Sequence, residues 1–374
     1  MKILLAFDSF KGSLSAQEAV SAANYAIKKL FPLIKTIELP LADGGDGTVQ
    51  VLSHYLLGNS IFVKTHDPLM RPITSKYFIS KDKTTAIIEM AAAAGLLLLS
   101  TTERNPMETT TFGVGELLLD AIHQGIRRIF IGLGGSSTND GGMGFLSALG
   151  YRFLDSSGKQ LYGCGKNLSK IVSILPPIIT QYSGVDIEAI CDVTNPLYGT
   201  NGSAHVYSMQ KGATLDMITK LDKGLCHYSK LIGVDPFIKG SGAAGGLGYA
   251  LNFIKSNLRN GTDIVFEISN FDTNLLNADL VITGEGCIDS QTLSGKLPFG
   301  VLSKARKQGI PVIALAGKVK DKQKLLEAGF DSVYQITPQA QTLSEAMLPA
   351  TAKKNIYTTI QVCLSEYFNN RLLL

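Results

Sequence analysis

Apolar and polar positions in the first sixty residues follow two periods in turn. Lys2–Phe7 reads as a strand, with Ile3–Phe7 an unbroken apolar run. Ser15–Leu30 has apolar residues at helical spacing, and Ser15 as N-cap with Glu18 three residues later predicts a capping box. Ile34–Leu41 reads as a second strand and Gly47–Leu57 as a second helix. The pattern then changes. Ser60–His66, Ile73–Ser80 and Thr84–Met90 are short runs rich in β-branched residues, divided by Asp67-Pro68 and Lys81-Asp82-Lys83 turns, which predicts an antiparallel meander.

From Thr111 to Gly150 the chain reads helix, strand (Arg127–Ile131), glycine-rich loop, helix, followed by a hairpin over Tyr151–Leu161 turning at Ser156-Ser157-Gly158. Val185–Val193 and Asp263–Ile268 are further strand candidates. The C-terminal third alternates cleanly: strand Asp279–Thr283, helix Pro298–Gln308, strand Pro311–Ala316, helix Asp321–Ala328, strand Ser332–Ile336, helix Ser344–Phe368. The economical arrangement is α/β with two domains. Residues 1–60 and 270–374 form a doubly wound parallel-sheet domain from both chain ends, and residues 61–269 form an inserted mixed-sheet α/β domain. That topology puts a site at the carboxyl ends of strands, in a cleft between the domains.

Composition narrows the partners. A net charge of +4 with scattered basic residues leaves no nucleic-acid footprint. The five cysteines (Cys164, Cys191, Cys226, Cys287, Cys363) are widely spaced, as in reduced cytoplasmic proteins, and the five histidines lack ligand spacing. Met1–Phe7 is too short for a signal sequence, and the apolar run Ala86–Leu99 contains Glu89 and falls short of the ~20 residues a membrane span needs. The expectation is a cytoplasmic protein, monomer or homodimer, with no membrane partner.

The candidate chemistry lies in glycine-rich turns after strands. Gly132–Gly144 holds six glycines, three hydroxyls, Asn139 and Asp140 between a strand and a helix, a setting in which backbone N–H groups close around an anion. Asp140 is read either as a metal contact or as a cap for the following helix. Asp8–Ser15 places Asp8 at the end of the first strand and Lys11 in the loop beyond; Asp43 and Asp46 flank a glycine pair in Pro40–Thr48. Asp192 and Asn195 end another strand, and Lys211 is a candidate phosphate neutraliser. Glu285 emerges between two glycines after Leu280-Val281-Ile282, with Asp289 and Lys296 beyond, a hard-oxygen set suited to Mg²⁺. A rival signal is Gly240-Ser241-Gly242-Ala243-Ala244-Gly245, which fits G-x-G-x-x-G with Glu267 downstream, although Val234–Lys239 before it is a poor strand. It keeps a nicotinamide-dependent oxidoreductase open as an alternative, beside a non-catalytic sugar-acid or nucleotide sensor. The chain has no G-x-x-x-x-G-K-[ST], no H-R-D or D-F-G set and no G-x-S-x-G, which excludes a P-loop, a protein kinase and a hydrolase elbow.

Taken in order, Asp8–Ser15, Ala42–Thr48, Gly134–Gly142, Cys191–Leu197, Gln210–Ala213, Gly242–Gly246 and Gly284–Thr292 with Gly295-Lys296 resemble the type I glycerate kinase family. The resemblance implies a flavodoxin-like domain and ATP-dependent phosphorylation of D-glycerate, at the 2-hydroxyl in preference. For that reaction the ATP phosphates are expected on Gly134, Gly135, Ser136, Ser137, Thr138 and Asn139, neutralised by Mg²⁺ and by Lys211 or Lys296. Asp192, Glu285 and Asp289 are the metal candidates. Asp8, Lys11 and Ser13 hold the glycerate, and Asp46 or Asp43 takes the hydroxyl proton, with Lys296 completing the catalytic set. Cys287 stands where an arginine is expected, Ser137 where alanine is usual, and Tyr207-Ser208-Met209 replaces a proline-containing approach to Gln210.

Overall fold

The structure, a computed structural model, describes residues 1–45 and 47–372 of the 374-residue chain. In chain order its strands are β1 (Lys2–Phe7), β2 (Lys35–Pro40), β3 (Asn59–His66), β4 (Pro72–Ile79), β5 (Thr85–Glu89), β6 (Arg128–Gly132), β7 (Arg152–Leu154), β8 (Ser173–Leu175), β9 (Asp186–Ile190), β10 (Asn257–Arg259), β11 (Leu280–Ile288), β12 (Val312–Val319) and β13 (Ser332–Gln335). The fold is α/β, and the chain divides into two compact units, Met1–Tyr55 with Gly261–Leu374, and Leu56–Asn260.

The unit made from both chain ends is built on one sheet of order β13-β12-β11-β1-β2, parallel throughout. Numbered within the unit, that order is 2-1-3-4-5, the flavodoxin-like arrangement, whose switch point lies between β1 and β11. Ile3, Leu5, Phe7, Leu280, Ile282, Ile313 and Leu315 form its buried core with the apolar faces of the helices Ala16–Leu30 and Pro349–Leu372. The first of these helices begins with the expected capping box, Ser15 accepting from the Glu18 amide and Glu18 from the Ser15 amide. Two strands run further than the apolar pattern indicates. β11 continues through Gly284-Glu285-Gly286-Cys287, because β12 stays alongside it: Glu285 is paired with Ala316 and Cys287 with Lys318. Glu285 therefore lies within a strand rather than in the loop beyond it.

The Leu56–Asn260 unit carries a six-stranded sheet of order β10-β9-β6-β5-β4-β3. β3, β4 and β5 form the expected antiparallel meander, and β5, β6, β9 and β10 are parallel. Two readings change. Asp263–Ile268 belongs to the helix Gly261–Ile268; buried Ile264, Val265 and Phe266 at successive positions mimic a strand run. The turn at 156–158 forms, with Leu161 N–H donating to the Phe153 carbonyl at 2.8 Å, but β7 finds its ladder partner in β8. Among the described residues no helix is long and apolar enough to cross a membrane.

Candidate active site

The flavodoxin-like sheet opens at its switch point into a pocket of about 600 Å³. β1 ends there beside Gly284 of β11, which runs on, and the Asp8 amide donates to the Gly284 carbonyl at 2.9 Å. The chain after β1 turns back at once: Phe10 and Leu14 exchange backbone hydrogen bonds, and Gly12 takes the turn at φ +75°. This brings Asp8, Lys11 and Ser13 to the pocket wall together. The Ser13 hydroxyl is buried and has no partner among the described residues, a condition that native structures resolve with a ligand or water. Asp43 reaches the same pocket from the loop after β2, its carboxylate accepting from the Gly45 amide at 2.9 Å. Asp46 lies outside the described residues.

Glu285 and Cys287, two apart on β11, face the pocket with Lys296. Thr292 Oγ1 donates to Glu285 Oε1 at 3.0 Å. The resulting cluster is electrostatically strained. Burial first, then the Asp43 and Glu285 charges, push the Asp8 carboxyl up to about 7, against the Ser9 amide and Lys11. Burial also pushes Glu285 up, while Lys296 and Thr292 hold it down. Asp8 is only 5% exposed, so little solvent screening relieves this. Asp289 stays outside the pocket lining and shapes the turn that follows β11, accepting from the Gln291 amide at 3.0 Å.

The glycine-rich loop of the other unit follows β6. Gly134 and Gly135 are exposed and Ser136 is half-buried, whereas Ser137, Thr138, Asn139 and Asp140 are buried. Ser137 binds the Ala94 carbonyl through both its amide and its hydroxyl at 2.9 Å, and Asn139 donates to Ser208 Oγ. Lys211 is buried behind the loop, its Nζ donating to Ser136 Oγ and the Thr138 carbonyl at 2.7 Å each. Burial presses the Lys211 ammonium down to about 7, and Asp140 pulls the other way. Asp140 is itself the anion that the loop encloses. Its carboxylate accepts from the Thr111, Gly142 and Gly144 amides at 2.9, 3.0 and 3.1 Å and from the Thr111 hydroxyl at 2.8 Å. Two of these amides, Gly142 and Gly144, belong to the start of the helix that follows; the Gly134–Ser136 edge of the loop is open.

Gly240–Gly245 has no strand before it, unlike a dinucleotide fingerprint. It packs against the same loop: the Gly141 amide donates to the Gly245 carbonyl at 2.9 Å, and a Cβ on Gly245 would stand 1.9 Å from the Thr138 carbonyl oxygen. Asp192 is exposed in the loop after β9, in the Leu56–Asn260 unit, while Glu285 and Asp289 belong to the other. Among the described residues no three His, Cys, Asp or Glu side chains gather closely enough to hold a metal ion.

Sequence reasoning missed the far half of the switch-point pocket, where Gly317, Gln335, Pro338, Gln341 and Met347 contribute. The signal was available: Gly317 and Thr337-Pro338 follow apolar strands at their carboxyl ends, where such sheets bind ligands.

Comparison with known proteins agrees with this architecture. The model of the glycerate kinase family matches residues 3–366. A glycerate kinase of Bacillus subtilis is 44% identical over 355 residues, covering 92% of this chain and 93% of that protein. The glycerate 2-kinase of Escherichia coli is 39% identical over 381 residues, covering 97% and 98%. A crystal structure assigned as glycerate kinase 2 from Salmonella typhimurium LT2 superposes with a TM-score of 0.87 at 40% identity, covering 100% of this chain and 99% of that one.

Proposed function

The chain belongs to the glycerate kinase family, a family of phosphotransferases that act on an alcohol group, and on that premise we propose that it transfers the γ-phosphoryl group of ATP to the 2-hydroxyl of D-glycerate. The observation that carries the reading is the switch-point pocket, where three carboxylates, Asp8, Asp43 and Glu285, face two ammonium groups, Lys11 and Lys296. Phosphoryl transfer needs little covalent chemistry from the protein; it needs positioning, charge neutralisation and somewhere for one proton to go.

In this reading Lys11 and the unpartnered Ser13 hydroxyl hold the glycerate carboxylate. The substrate hydroxyl oxygen attacks the γ-phosphorus, the bond from that phosphorus to the β–γ bridging oxygen breaks, and ADP leaves. Asp8 takes the hydroxyl proton. Its carboxyl, raised to about 7, is matched to proton exchange near neutral pH, and Asp43 keeps it basic by its own charge. Lys296, beside Glu285, neutralises the transferring phosphoryl group. Within the Leu56–Asn260 unit, the open Gly134–Ser136 edge with Lys211 fixed behind it is itself suited to a phosphate group, and Ser137, Thr138 and Asn139 support it from within.

Asp43 lies close enough to raise both Asp8 and Glu285, and such a set of hard oxygen donors suits Mg²⁺, which takes one or two carboxylates and fills the rest of its shell from phosphates and water. Glu285 and Asp43 would hold it, in place of the wider set with Asp192 and Asp289. When bound, the ion neutralises phosphate charge. Five free cysteines and a need for ATP fit the cytoplasm.

A coupled ADP-release assay with D-glycerate, ATP and Mg²⁺, followed by phosphorus NMR of the product, tests the reading. Turnover to 2-phosphoglycerate is expected. Formation of 3-phosphoglycerate would overturn the regiochemistry, and absence of ADP release would overturn the reaction.

A further inference from the structure

The switch-point pocket is far larger than a three-carbon acid requires. Its volume of about 600 Å³ lies in the range of sites that enclose whole cofactors or drug-sized ligands. It also has two chemically distinct ends. Asp8, Lys11, Asp43, Glu285 and Lys296 make one end charged; Ile336, Pro338, Leu343, Ala346 and Met347 make the other apolar.

We propose that the apolar end, formed by the Thr337–Gln341 turn together with Leu343, Ala346 and Met347, seats the purine nucleoside of the phosphoryl donor. The proposal rests on the phosphoryl-transfer reading above and adds the donor's location to it.

Four observations converge on this seat. Leu343 is 75% exposed although it lines the pocket, an apolar surface without a cover on that side. Met347 reaches back across the pocket, so that a Cβ on Gly12 would stand 2.5 Å from its methyl group; a flexible thioether of this kind moulds to a flat ring. Gln341 supplies a polar handle. Asn355 Nδ2 donates to Gln341 Oε1 at 2.9 Å, which orients that amide and makes its NH₂ group the end that donates to a ring nitrogen. A few oriented polar groups among apolar walls are what a purine site requires.

Gly286 and Gly317, on the adjacent strands β11 and β12, both line the pocket beside Lys318 and carry no side chain there. Bare backbone at these two positions lets a phosphate chain approach the main chain without a steric barrier. The Gly240–Gly245 turn offers no comparable seat, since the space over Gly242 is filled by the Asn195-Pro196 backbone and that over Gly245 by the Thr138-Asn139 backbone.

Photolabelling of the full-length wild-type chain with 2-azido-ATP, mapped by peptide mass spectrometry, tests the seat directly. Labelling within residues 335–347, competed by ATP, is expected; labelling within 134–139 or 240–246 overturns the proposal. Two variants give a kinetic readout: Ala346→Phe fills the apolar end, and Gln341→Leu removes the oriented donor. Each should raise KM for ATP about tenfold or more with KM for glycerate within twofold. A rise confined to the glycerate KM, or no change in either, overturns the seat. Competed labelling at 335–347 without ADP release in the presence of glycerate would leave the seat standing and remove the glycerate reaction.

Discussion

Asp8, just past the end of β1, and Glu285, within β11, stand at the same level of adjacent parallel strands, since Phe7 is paired with Gly284 and the Asp8 amide continues the ladder to the Gly284 carbonyl at 2.9 Å. The register of β1 against β11 therefore fixes two carboxylates at one place; burial, then Asp43 and Glu285, raise the proton affinity of Asp8, and burial and Asp43 raise that of Glu285. Strand pairing thus sets the place at which burial and the neighbouring charges act on Asp8.

Asp8→Asn should lower kcat by about 10²- to 10⁴-fold, the usual worth of a general base. In the parent, kcat/KM should rise with pH between the ordinary carboxylate value and about 7 as Asp8 loses its proton, toward the lower part of that range once Mg²⁺ neutralises Asp43 and Glu285. A pH–rate profile flat across that range would remove Asp8 from this role.

The same residue makes a stability prediction. Its folded value of about 7 lies above the ordinary 3.8, so the folded protein holds an extra proton between those values and loses stability as pH rises through them. Asp8→Asn should therefore be more stable than the parent at about pH 8, by on the order of a few kcal/mol, and show no such advantage at about pH 4. Urea midpoints at the two pH values check it; equal shifts at both would contradict the shifted titration.

Glu285→Gln keeps the shape and the Thr292 hydrogen bond but removes the charge that faces Lys296. Turnover should fall about 10²-fold or more with an unchanged circular dichroism spectrum, and the Mg²⁺ concentration for half-maximal rate should rise. Near-normal turnover at ordinary Mg²⁺ would exclude Glu285 from the chemistry.

Asp140 is expected to matter for folding. It accepts four hydrogen bonds while fully buried, and Asp140→Asn replaces one acceptor oxygen with a donor facing N–H groups. A loss of about 2–3 kcal/mol in urea unfolding is predicted. An unchanged midpoint would show that the loop does not depend on its internal carboxylate.

Cys287 faces the pocket and is half-buried, whereas Cys164 and Cys363 are buried with their thiols pushed up to about 11 and 12. Iodoacetamide should inactivate the parent at a rate slowed by ATP, and Cys287→Ser should keep turnover within a few-fold while resisting inactivation. Equal sensitivity of the variant would place the reactive thiol elsewhere.

Much of this was legible in the chain. The apolar runs of β1, β11 and β12, the Ser15–Glu18 box and the Asp8 and Glu285 positions all follow from local pattern, because a buried parallel strand must be apolar and its carboxyl end must be polar where a ligand binds. What stayed hidden depends on partners distant in sequence. The glycine-rich loop reads as an open anion cradle until Thr111 and Gly144 are seen closing on Asp140. Lys211 reads as a free ammonium until Ser136 and Thr138 are seen to enclose it. Helix Gly261–Ile268 looks like a strand because its three consecutive apolar residues are all buried. In each case tertiary neighbours decide what the local sequence leaves open.

The pairing of β1 with β11 has a consequence for synthesis on the ribosome. Thr283 Oγ1 donates to the Ala6 carbonyl across 277 positions of sequence, so the first strand made has no partner on that side until the last third of the chain emerges. Every strand of the other sheet is complete by Arg259. The middle of the polypeptide should thus fold first during translation, while the N-terminal segment waits, and the pocket that holds Asp8 and Glu285 closes as one of the final events before release.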